Sequence, residues 1–161
     1  MTSLYRKPKI EGLDHLVRAA RERMGAKLTA TGSSGVRALY QALKQHELVA
    51  ILPDQDPAGE KRGVFAPFFG VPAKTMTLLN RLALKTQAQV FFAYTERLPR
   101  GEGFRLCFEQ ADQRIASEDA IESAIYMNQE IEKIVRRNPS QYQWAYKRFR
   151  TRPQGEPDIY L

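Results

Sequence analysis

The chain has 161 residues, 43% of them apolar, which suits one compact domain over 1–161 with most of a single core buried. No apolar run nears the roughly eighteen residues of a membrane span. No charged-then-apolar leader pattern opens the chain, and a lone cysteine excludes an intrachain disulfide framework, in keeping with the cytoplasm. The net charge of +7 implies attraction to polyanions without choosing among nucleic acid, anionic lipid and acidic protein.

Residues 13–24 place Leu13, Leu16, Val17, Ala20 and Met24 on one helical face, with Arg18, Arg21 and Arg23 largely elsewhere and Gly25 at the stop. After an extended 27–31, the hydroxyls of Thr31-Gly-Ser-Ser-Gly35 offer caps for a helix over 36–45 that turns Val36, Leu39, Tyr40 and Leu43 inward. Residues 47–52 read as a buried strand emptying into the turn-rich loop Pro53-Asp-Gln-Asp-Pro-Ala-Gly59. The aromatic run 64–69 follows, and Val71-Pro72 precedes a helix over 73–85 in which Thr75 and Thr77 are early-helix residues. Residues 89–97 and 103–110 form an antiparallel hairpin at a sheet edge, with Cys107 as a small buried thiol on an alternating strand. The last helix, 117–138, is capped by Ser117 and carries Ile121, Ala124, Ile125, Asn128, Ile131 and Val135 on one face. Asn138-Pro139 ends it. Helices alternating with strands predict an α/β fold: a single-layer, mixed, largely parallel sheet flanked by helices.

Positive charge gathers at the end of the chain. Residues 133–152 hold seven Lys or Arg and no Asp or Glu, and Asn138-Pro-Ser-Gln-Tyr-Gln-Trp-Ala-Tyr-Lys-Arg-Phe-Arg-Thr-Arg-Pro153 sets the only Trp among aromatics and bases. Such a segment suits a surface where apolar and anionic groups meet. Together with Leu4-Tyr-Arg-Lys-Pro8, Arg21-Glu-Arg-Met-Gly25, Leu52-Pro-Asp-Gln-Asp-Pro57 and Gly63-Val-Phe-Ala-Pro-Phe-Phe-Gly70, it resembles the late acyltransferases of lipid A biosynthesis, the lauroyl and myristoyl transferases of Gram-negative bacteria. The blocks occur in the same order and with plausible spacing, which is more specific than any one of them.

That resemblance implies a glycerol-phosphate-acyltransferase-like fold and transfer of a fatty acyl chain from acyl carrier protein to a hydroxyacyl chain of a lipid A precursor, at the cytoplasmic face of the inner membrane. It also implies a catalytic His followed five positions later by Asp or Glu. His15 is followed at that spacing by Ala20 and His46 by Ile51, so the chain is expected to be the carboxy-terminal part of such an enzyme, incomplete as a fold, peripheral by itself and inactive alone.

Among residues that bind substrate, Asp54 and Asp56 resemble the acceptor-binding loop of glycerol-phosphate acyltransferases; as residues alone they are turn formers beside prolines. Glu60, farther along the loop, is their natural comparison. Arg6 and Arg23, with Arg21 behind them, are candidates for phosphate because guanidinium grips it bidentately; otherwise they are solvated. Val64 to Phe69 divides between core and an acyl groove or bilayer contact. Trp144, Lys147, Arg148 and Arg150 are expected at an anionic membrane surface. With no metal-ligand spacing or glycine-rich phosphate loop, no cofactor is expected. Two other readings stand beside the enzyme: a nucleic-acid-binding domain stacking bases on Tyr142, Trp144, Tyr146 and Phe149, and an inactive module that binds lipid or acyl carrier protein. The absence of a recognised nucleic-acid fold signature weighs against nucleic acid as a partner.

Overall fold

The computed structural model of the protein describes every residue except Glu11, residues 58–62 and Leu161. The chain is α/β, and it divides into two compact units, Met1–Leu52 and Pro53–Leu161.

In the first unit, β1 (Thr2–Tyr5) lies between β2 (Lys27–Ala30) and β3 (Val49–Ala50), parallel to both. The crossovers carry α1 (Leu13–Glu22) and α2 (Ser33–Lys44), as parallel pairing requires. Tyr5, Leu28, Leu39 and Ala42 form the buried apolar set. Gly35 makes the approach of α2 to β2 possible, since a Cβ there would stand 2.1 Å from the carbonyl oxygen of Ala30. The expected helix over 13–24 is present, yet α1 buries none of its residues. Arg18 turns inward against expectation: it sits 5.5 Å from the Tyr5 ring and donates to Glu22 at 3.1 Å and to the Leu28 carbonyl at 3.3 Å. The expected strand over 47–52 shortens to two half-buried residues, because β3 pairs with β1 only at Val49 and Ala50, and Leu48 and Leu52 are exposed.

The second unit is built on two antiparallel hairpins, β4 (Gly63–Phe68) with β5 (Val71–Met76) and β6 (Phe91–Arg97) with β7 (Phe104–Gln110). The expected single, largely parallel sheet is therefore three hydrogen-bonded sheets among the described residues, and only that of the first unit is parallel. Short connections force the antiparallel sense, as at Phe69 and Gly70, whose φ values of 50° and 78° close the β4–β5 turn. Residues 71–76, expected to lead into and begin a helix, are strand because that turn delivers them into register with β4. The helix α3 (Leu78–Thr86) starts later.

In α4 (Ala120–Arg137) the buried face is Ser123, Ala124, Met127, Asn128, Ile131 and Val135. Asp119, not Ser117, caps it, its carboxylate accepting the Ile121 N–H at 2.8 Å. Ile121, in the first turn, faces out. The main core joins Phe68, Ala73, Phe92, Ile115, Met127, Ile131 and Val135, with Tyr142 and Phe149 of the tail packed against it. Cys107 is half-buried.

Candidate functional site

The basic tail and the acidic loop, some ninety residues apart in the chain, hold one another. Asp56 is buried. Its Oδ2 accepts the Thr151 hydroxyl at 2.6 Å and lies 3.6 Å from Arg150 Nε, while its backbone N–H donates to the Tyr146 hydroxyl at 2.9 Å. Asp54, half-buried, lies close enough to Tyr142 for its charge to act on the phenol. Burial, and then the Asp54 charge, push Tyr142 well above the ordinary tyrosine value, so the phenol stays protonated at any physiological pH.

Behind this loop stands a buried polar cluster. Arg148 is 3% exposed, and its Nη1 donates to the Lys74 carbonyl at 2.6 Å while Nη2 donates to Thr75 Oγ1 at 2.9 Å and Asn128 Oδ1 at 3.4 Å. Asn128 Nδ2 donates to the Pro67 carbonyl at 2.9 Å and to Thr75 Oγ1 at 3.0 Å, and the Thr75 hydroxyl donates to the Ala73 carbonyl at 3.0 Å. One helix, one hairpin and the tail are thus tied through a single threonine oxygen. Burial pushes the Arg148 guanidinium down from its ordinary value, and Tyr142, Asp54, Asp56 and Tyr146 oppose that shift. Among the described residues, Asp56 Oδ1 and Arg148 Nε are buried without a hydrogen-bond partner.

The basic residues at the end of the chain therefore fall into two sets. Arg148, expected at a membrane surface, is instead interior, because the tail folds its guanidinium under the β4–β5 hairpin and over the Phe68 ring at 5.5 Å. Lys147 and Arg150 are exposed, and Trp144 is 53% exposed, its indole N–H donating to the Pro139 carbonyl at 2.7 Å and its ring edge-on to Tyr142 at 4.9 Å. Phe68 is core and Phe65 exposed, the expected division of the aromatic run. Arg6, Arg21 and Arg23 are exposed residues of the first unit. Glu60 lies outside the described residues.

Among the described residues, the loop presents one partly open carboxylate, Asp54, beside the anchored Asp56. Tyr142, Tyr146, Thr151, Asn128 and Thr75 are the members that reading along the chain does not single out for this role. Asn128 alone carries a signal, as a polar residue placed in the apolar stripe of α4.

A family model for bacterial lipid A biosynthesis acyltransferases matches residues 1–151. The chain is 37% identical over 145 residues to the lipid A biosynthesis palmitoleoyltransferase of Escherichia coli (strain K12), covering 88% of this chain and 46% of that protein. It is 35% identical over 126 residues to the lipid A biosynthesis lauroyltransferase of the same organism, covering 78% and 41%, respectively. A lipid A biosynthesis acyltransferase of Haemophilus influenzae is 32% identical over 160 residues, 99% of this chain and 49% of the relative. The chain spans about half the length of these curated relatives. On these matches the chain belongs to the bacterial lipid A biosynthesis acyltransferase family.

Proposed function

We propose that the protein serves lipid A biosynthesis as an acyltransferase, moving a fatty acyl chain from the thioester of acyl carrier protein to a hydroxyl on a hydroxyacyl chain of a lipid A precursor. The hydroxyl oxygen attacks the thioester carbonyl, the carbon–sulfur bond breaks, and an ester and a free thiol result. The observation that carries this reading is the locked Asp54–Asp56 loop within residues that match the family. Asp54 faces the acceptor, Asp56 acts through it as an anchor, and Arg6 and Arg23 hold phosphate. Trp144, Lys147 and Arg150 meet the anionic lipid of the cytoplasmic face of the inner membrane. Neither His15 nor His46 has an acidic residue five positions on, so the 161 residues taken alone lack the base, whose help is worth about 10² to 10⁴ in rate.

The nucleic-acid reading has less support. Tyr142 and Phe149 pack on the core and the Tyr146 hydroxyl accepts from Asp56, so three of the four aromatics needed for stacking are already engaged. The test is to substitute these residues for the matching part of the Escherichia coli lauroyltransferase and assay acyl transfer from acyl carrier protein to lipid A precursor. The chimera should turn over and the isolated chain should not. A well-folded but inactive chimera, or an isolated chain as active as the relative, would overturn the proposal.

A further inference from the structure

Among the described residues, the β6–β7 hairpin is covered on one side only. Phe92 is buried, and on the same side Tyr94 donates to Glu109 at 2.6 Å, Arg137 of α4 pairs with Glu109 at 2.9 Å, and Asn138 donates to Glu96 at 3.2 Å. The other side follows from the register. Ala93 stands opposite Phe108, Thr95 opposite Leu106 and Arg97 opposite Phe104, with Phe91 at the end of the row. Phe91 is 53% exposed, Phe104 69%, Leu106 60% and Phe108 65%. At 150–250 Å² for a buried aromatic ring, that is on the order of 400–500 Å² of contiguous apolar surface, the size at which a patch marks an interaction site.

We propose that this face docks an apolar protein layer: the part of a family protein that these 161 residues do not match, whether joined to this chain or separate from it. Three observations select that occupant. The relatives are about twice as long as the matched region, so a comparable mass of family sequence has no counterpart here. The face bears one base, Arg97, and no acid, which gives little for an anionic surface to grip. A two-stranded ribbon is marginal by itself, and no third strand joins β6 or β7 among the described residues. Leu13 and Leu16 on α1, with Met24 just past its end, are exposed in the same way.

The proposal rests on family membership rather than on acyl transfer, and its test reads association rather than turnover. The chain is co-expressed with a tagged polypeptide comprising the part of the Escherichia coli palmitoleoyltransferase outside the matched 145 residues. The two should co-purify, with amide protons of 91–97 and 104–110 slower to exchange in the complex. Leu106→Lys with Phe108→Lys should cut recovery at least tenfold with the thermal midpoint of the free chain unchanged; should that pair disturb folding, Phe104→Ser serves instead. Equal recovery of wild type and variants overturns the proposal. So does a concentration-dependent dimer, or binding to phosphatidylglycerol vesicles, that these substitutions abolish while co-purification persists.

Discussion

Two hairpins of similar make-up meet different ends in this protein. In β4–β5, Ala66, Phe68, Ala73, Lys74 and Thr75 are buried, because α4 packs across the hairpin and the tail brings Arg148 to the Lys74 carbonyl. In β6–β7, Phe104, Leu106 and Phe108 alternate as Ala66 and Phe68 of β4 do, yet face solvent. Alternation tells which residues share a face, and only a distant partner decides whether that face is core. A polar cluster marks the covered hairpin, since carbonyls at Pro67, Ala73 and Lys74 need donors once water is excluded.

The largest effect should separate the hairpins directly. Phe68→Ala should cost about 3–5 kcal/mol of unfolding free energy, whereas Phe104→Ala should stay within about 0.5 kcal/mol, measured by urea unfolding. Similar losses for both would mean that the second hairpin is covered after all. Next comes the tail. Arg148→Ala strands acceptors on Lys74, Thr75 and Asn128 and should cost about 2–4 kcal/mol, against about 0.5 kcal/mol or less for Lys147→Ala. On anionic vesicles the order reverses, with Lys147→Ala and Arg150→Ala weakening binding by about 1 kcal/mol each in low salt.

Within the loop, Asp54→Asn should lower turnover of the lauroyltransferase chimera with little change in stability, while Asp56→Asn should lower both, by about 1–3 kcal/mol in stability. Equal, stability-only losses would reduce the loop to a turn. A smaller effect comes from Tyr142→Phe, about 1 kcal/mol. Because burial raises the folded value of Tyr142 above its unfolded value near 10, the native state holds its proton longer. Its contribution is complete below that unfolded value and is lost as pH rises toward the folded one. Absorbance titration at alkaline pH should therefore lose a late-ionising phase in Tyr142→Phe.

Much of the fold was legible from local pattern. The apolar period located α1, α2 and α4, the turn residues of 98–102 located β6–β7, and Asn138-Pro139 marked the helix end. The strand β5 was not legible, because Val71-Pro72 before Ala, Lys and Thr suits a helix start as well as a strand, and only pairing with β4 decides. The acidic loop and basic tail each stood out by composition, but their embrace did not. Asp56 to Thr151 and Arg148 to Thr75 are contacts across most of the second unit, and no spacing rule reaches that far. Arg148 shows the cost of reading charge as exposure: in a basic run, one residue in the middle supplies the donors that the core lacks.

The lock between loop and tail is tested most directly by a double-mutant cycle of Asp56→Ala and Thr151→Val, followed by urea unfolding. The hydroxyl-to-carboxylate bond of 2.6 Å predicts a coupling of about 1–2 kcal/mol, the double variant losing less than the two single variants together. Losses that add to within about 0.3 kcal/mol would contradict it and leave the tail beside the loop without holding it.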